Sequence, residues 1–115
     1  MWPGIQDIEA QVALGSLYYF GNGVPKDSAE AFRWFRKAAD QGHSDAQNVL
    51  GLMYYEGNGV PQDYMKAYVW FNIAAAYSQG DEREKAIKFR NEAAKKLTPE
   101  QLAQAQKISS EWKPK

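Results

Sequence analysis

The sequence has no cysteine and only one histidine, His43, among its 115 residues. Without cysteine, disulfides and thiolate metal sites are excluded, and the redox compartment is left open. A Ser-His-Asp arrangement would have to use His43, which lies beside Gly42 at a junction between segments, where a linker role is expected. Net charge is also missing, since 14 basic and 14 acidic side chains cancel. That removes the electrostatic basis for binding nucleic acid or an anionic membrane. The cancellation is uneven along the chain: residues 1–57 hold 4 Lys/Arg and 7 Asp/Glu, and residues 58–115 hold 10 and 7. No run approaches the ~20 apolar residues that span a bilayer, and Met1-Trp2-Pro3-Gly4-Ile5 is not a basic stretch leading into an apolar one. A soluble chain on either side of a membrane is expected, with no metal or cofactor set among its residues.

What is present is a folding composition, 44% hydrophobic and 14% aromatic, in a length that suits a single domain over residues 1–115. Within it lies a repeat. Residues 8–43 laid over 44–79 match at 17 of 36 positions without a gap, from Ala10/Ala46, Gln11/Gln47 and Leu14/Leu50 to Trp34/Trp70, Phe35/Phe71 and Ala39/Ala75.

Each unit reads as helix, glycine-rich turn, helix. Ser44 and Gln47 have the spacing of a capping box, and Ala46, Leu50, Met53 and Tyr54 recur at helical period. Gly57-Asn58-Gly59-Val60-Pro61 then stops the helix, because glycine accepts positive φ and Pro61 forces Val60 to be extended. Asp27 and Asp63 are the expected N-caps of the second helices, whose apolar stripes run through Ala31, Phe35 and Ala39, and Ala67, Phe71 and Ala75. Beyond residue 79 the pattern decays into a degenerate third unit and cap, 80–112. Ala75 to Ala86 is four residues longer than Ala39 to Ala46, which is about one helical turn and predicts a longer second helix in unit two. Asp81 with Glu84 predicts one further helix start, and Thr98-Pro99-Glu100-Gln101 another. Leu102, Ala105, Ile108 and Trp112 are the expected buried side of the last helix.

The string Ala-Gln-x-x-Leu-Gly-x-x-Tyr-Tyr-x-Gly-Asn-Gly-Val-Pro-x-Asp, followed by Ala-x-x-Trp-Phe-x-x-Ala-Ala, resembles the Sel-1-like repeat family, a branch of the tetratricopeptide-type helical repeats. The resemblance implies an all-α chain: an α-solenoid of antiparallel helix pairs, or alpha-alpha superhelix, with two repeats and a C-terminal capping helix pair. It also implies an adaptor for other proteins, with the first helix of each pair lining the binding surface. Some cysteine-rich relatives have been described as penicillin-binding or weakly β-lactamase-like, which makes a small-molecule hydrolase the remote alternative. Ser110-Glu111-Trp112-Lys113 is the only Ser-x-x-Lys, and it lies at a terminus expected to fray.

The glycine turns lack the Gly-Lys-Ser/Thr of a phosphate loop, and the paired acids at helix starts are accounted for by capping. Function is therefore sought where the two copies differ on their first helices. Val12, Ser16 and Phe20 align with Asn48, Leu52 and Glu56, and keeping Ala86 level with Ala46 adds Lys88 and Glu92. These eight residues are the candidate partner-binding face of a non-enzymatic scaffold for another protein or peptide. A self-associating module, with Trp2 and Ile5 covering another copy, is the second reading.

Overall fold

The computed structural model describes residues 7–115, so Trp2 and Ile5 lie outside the described residues. Within these, six helices and no strand appear: α1 (Ile8–Phe20), α2 (Ser28–Asp40), α3 (Ser44–Glu56), α4 (Tyr64–Tyr77), α5 (Gly80–Ala94) and α6 (Pro99–Glu111). Consecutive helices pack on one another from α1 to α5, and α6 lies against α4. The result is the expected α-solenoid of helix pairs, drawn out to 43 × 25 × 23 Å.

The helix ends follow local chemistry. The Asp27 and Asp63 carboxylates accept the Glu30 and Lys66 amides at 3.0 Å, satisfying donors that a first turn leaves free. Thr98 and Gln101 complete a reciprocal capping box around Pro99. One expected box does not form. His43, not Ser44, is the N-cap of α3: its Nδ1 accepts the Ala46 amide at 3.1 Å. Gln47 instead turns inward, where its Nε2 donates to the Ala39 carbonyl at 3.1 Å and ties the end of α2 to the next unit. Nor does Asp81 cap α5, which begins at Gly80 after Gln79 with no side-chain cap.

The extra turn also falls elsewhere than expected. Relative to α2, α4 gains a single residue, whereas α5 starts six residues before Ala86 where α3 starts two before Ala46. The four additional residues thus extend the front of α5. Ser78 accounts for this: it leaves the helical region (ψ 173°) and its buried hydroxyl donates back to the Ala74 carbonyl, closing α4.

The core runs along the interior from Ala31 and Phe35 through Leu50, Met53 and Phe71 to Ala93 and Ala105. On α6, Ser109 takes the buried place that helical period assigned to Ile108, which is 45% exposed. The Asn72 Nδ2 donates to Ser109 Oγ at 2.7 Å, and Arg90 donates to Asn72 Oδ1. That polar chain needs the serine inside. Trp112 packs edge-on against Trp70 and Tyr77. Far from fraying, the tail continues to α2, where the Lys115 amide donates to the Asp40 carbonyl at 2.7 Å.

Gly23 and Gly59 occupy the same place in the repeat and share a left-handed backbone (φ 82° and 81°), yet their surroundings differ. A Cβ on Gly23 would meet nothing within 4 Å, while one on Gly59 would lie 2.6 Å from the Ser28 carbonyl oxygen of the preceding unit. Gly23→Ala is therefore expected to cost only the left-handed penalty, about 1 kcal/mol. Gly59→Ala is expected to cost about 2 kcal/mol or more, since backbone must also move. Urea unfolding of the two variants checks this; equal losses would mean that the inter-unit contact at Ser28 is not tight.

Candidate partner-binding surface

The first helices α1, α3 and α5 share a furrow of three adjoining hollows. The first, about 300 Å³, lies between α1 and α3 and is lined by Val12, Ser16, Tyr19, Phe20, Val49 and Leu52 over the ring of Phe35. The second, about 230 Å³, lies between α3 and α5 and is bounded by Leu52, Tyr55, Glu56, Phe71, Phe89 and Glu92. The third, about 380 Å³, opens towards the front of α5 and includes Asp45, Asn48, Glu82 and Lys85. Leu52 borders all three.

These positions follow from helical spacing. Val12, Ser16 and Phe20, four residues apart, fall on one side of α1, and Leu52 and Glu56 do the same on α3. Gly15 and Gly51 sit one residue away from this row, and their missing side chains let Phe35 and Phe71 come up beneath the furrow as its floor. Phe20 stands at the rim with 66% of its surface exposed, braced edge-on by Tyr19. A large apolar side chain in water beside an apolar hollow is a feature of contact sites.

Seven of the eight sequence-derived residues border these hollows: Val12, Ser16, Phe20, Asn48, Leu52, Glu56 and Glu92. Lys88 does not, and Lys85 takes the basic position: it lies four residues before Phe89 on the same side of α5, while the extra turn adds Glu82 to that side. Asn48 was expected at the surface but is only 8% exposed, and its Oδ1 is buried without a hydrogen-bond partner. Tyr19, Val49, Tyr55 and Phe89 escaped the sequence comparison. Val49 and Phe89 occupy equivalent places once the four-residue insertion is allowed for, so their shared apolar character was the available signal.

The electrostatics are local. The Glu82 carboxyl is held above the usual carboxylate range, first by hydrogen bonding with Asp45, then by desolvation and the Asp45 charge, with Lys85 opposing. Glu92 is paired with Lys95 at 3.1 Å on the exposed side of α5. Glu56 makes no ion pair among the described residues. No group of three or more His, Asp or Glu side chains there is placed to hold a metal ion. No described helix is long and apolar enough to cross a membrane. Ser110 donates its hydroxyl to the Lys107 carbonyl, an ordinary helical back-bond that lends nothing to a hydrolase.

Comparison with known proteins agrees with this architecture. The family model described as Sel1 repeat matches residues 8–43 and 44–76. A solved structure of a protective antigen present in uropathogenic Escherichia coli strains, displaying an SLR fold, is 42% identical with a TM-score of 0.85 over 93% of this chain and 22% of that one. A Sel1 repeat protein from Oxalobacter formigenes is 28% identical with a TM-score of 0.67, over 91% of this chain and 51% of that one. The chain thus spans 22% and 51% of the lengths of these two proteins. No curated protein matches it.

Proposed function

This chain belongs to the Sel1 repeat family, and from that premise we propose that it is a non-enzymatic scaffold that holds a partner protein in the furrow of α1, α3 and α5. Sel1 repeat proteins generally mediate protein–protein interaction, and the finer assignment rests on one observation. Phe20 is exposed beside a hollow whose wall is formed by Val12, Tyr19, Val49 and Leu52. Burying such a surface is favourable by roughly 25 cal/mol per Å², and a pocket of this size suits one large side chain of a partner. The wall of the hollow is mainly apolar, and association with an apolar side chain is the chemistry such a wall supports.

The experiment is an affinity capture with the wild type, the single variant Phe20→Asp and the triple variant Val12→Asp, Phe20→Asp, Leu52→Asp. Phe20→Asp should weaken a specific partner at least about tenfold, as loss of a central apolar contact does, while leaving the thermal midpoint unchanged because the residue is mostly exposed. The triple variant should abolish capture. A folded Phe20→Asp that retains every partner at full affinity would place binding elsewhere. Sedimentation of the same samples separates a partner from a second copy of this chain.

A further inference from the structure

The second hollow has a different chemistry from the first. Its apolar wall is aromatic, made of Tyr55, Phe71 and Phe89, and its two charged residues, Glu56 and Glu92, are both acids. Phe71 and Phe89 lie with ring centroids 5.4 Å apart. Glu56 is the final residue of α3 and Glu92 lies in the last turn of α5, so both carboxylates add to helix ends that already carry about half a negative charge each. The protein's own cations nearby are turned outwards. Lys95 meets Glu92 on the exposed side, and Lys96 lies over the Tyr64 ring at 5.8 Å, while neither borders the hollow. A cation entering it would find aromatic surface and two carboxylates, each of which attracts an arginine or lysine head group.

The third hollow is less selective. There Asp45 and Glu82 lie close to Lys85 and to the positive ends of α3 and α5, which offset their charge. Among the described residues Glu56 has no ion pair and Glu92 has only the outward-facing Lys95, so these two carboxylates are the charge that the second hollow offers. Leu52 borders both the acidic second hollow and the apolar first one.

We propose that the partner segment carries an arginine or lysine which seats between Glu56, Glu92 and the Tyr55 and Phe89 rings, two or three residues from the apolar side chain that fills the Phe20–Leu52 hollow. This rests on the partner-binding reading and narrows it to a basic, apolar-anchored peptide. The spacing follows from geometry: the two hollows adjoin at Leu52, which lines both, and an extended chain advances about 3.3 Å per residue, so two or three residues carry it from one to the next.

The test uses the full chain and an array of synthetic eight-residue peptides in which leucine or phenylalanine is placed two or three positions from arginine, lysine, glutamine or glutamate. Fluorescence polarisation with labelled copies gives the affinities. Basic peptides should bind at least about tenfold more tightly than their glutamine counterparts. The double variant Glu56→Gln, Glu92→Gln should erase that difference. Both residues are exposed, and a thermal melt verifies that the variant remains folded. If peptides bind, depend on Phe20 and show no preference for a base, or prefer glutamate, this inference is overturned and the scaffold reading stands. If basic peptides bind independently of Phe20, the apolar anchor is refuted. If no peptide of the set binds, the inference is likewise overturned, while partner capture that depends on Phe20 would still support the broader reading.

Discussion

Gly51→Val is expected to destabilise the protein by about 3 kcal/mol, a large part of the roughly 5–15 kcal/mol that holds a domain of this size together. A Cβ at Gly51 would lie 2.5 Å from Cε1 and 2.6 Å from Cδ1 of Phe71, well inside contact distance. Phe71 is 1% exposed and cannot turn into solvent. The ring, α3 or α4 must therefore shift, and α3 and α4 are among the most closely packed pairs in the fold. Replacing glycine in a helix ordinarily gains up to about 1 kcal/mol in propensity, so the sign of the change identifies the clash as the dominant effect. Phe71→Leu should be destabilising alone, yet in the double variant the smaller side chain should recover about 1–2 kcal/mol relative to the sum of the single changes. Chemical unfolding of the four proteins in the cycle measures this. Additive losses would show that the glycine is not there to admit the ring.

The second large effect is at the other end of the solenoid. Trp112→Ala is expected to cost about 2–4 kcal/mol, because a half-buried indole that closes the last layer is replaced by a methyl group. Trp112 lies 6.0 Å from Trp70 and 5.3 Å from Tyr77, centroid to centroid. Trp70 in turn carries Arg36 over its face at 5.4 Å, so the stack joins α2, α4 and the cap. Losing Trp112 should also release the tail, whose Lys115 amide is bonded to the Asp40 carbonyl. Hydrogen exchange would then show α6 opening first, with α1 to α3 protected for longer. Simultaneous loss of protection in every helix would instead mean that the chain is one cooperative unit and that the cap is not a separate layer.

The two glycine positions also show how a repeat conceals function. Gly15 and Gly51 were legible as matched residues, but a match says only that both units need the same thing. What they need is room for Phe35 and Phe71, with Cβ positions 2.8 and 2.5 Å from those rings. The rings in turn form the floor of the two hollows. Scaffold residues thereby shape the surface, while unmatched residues give each hollow its character: Val12, Phe20 and Leu52 make one largely apolar, and Glu56 and Glu92 make the other acidic.

The amino-acid sequence by itself determined the helical repeat, the turn at Gly57 to Pro61, the caps at Asp27, Asp63 and Thr98, and most of the first-helix face. These depend on interactions within a few residues, so period, glycine and capping chemistry suffice to specify them. Only the tertiary structure decided where the inserted turn lies, which of Ile108 and Ser109 is buried, how His43 takes the N-cap place of Ser44 while Gln47 turns inward, and why Lys85 rather than Lys88 reaches the furrow. In each of these cases two arrangements share the same local pattern. For three of them the choice involves contacts with another helix: Ser109 with Asn72, Gln47 with the Ala39 carbonyl, and the front of α5 with α3. Such contacts join different helices, and local periodicity carries no record of them.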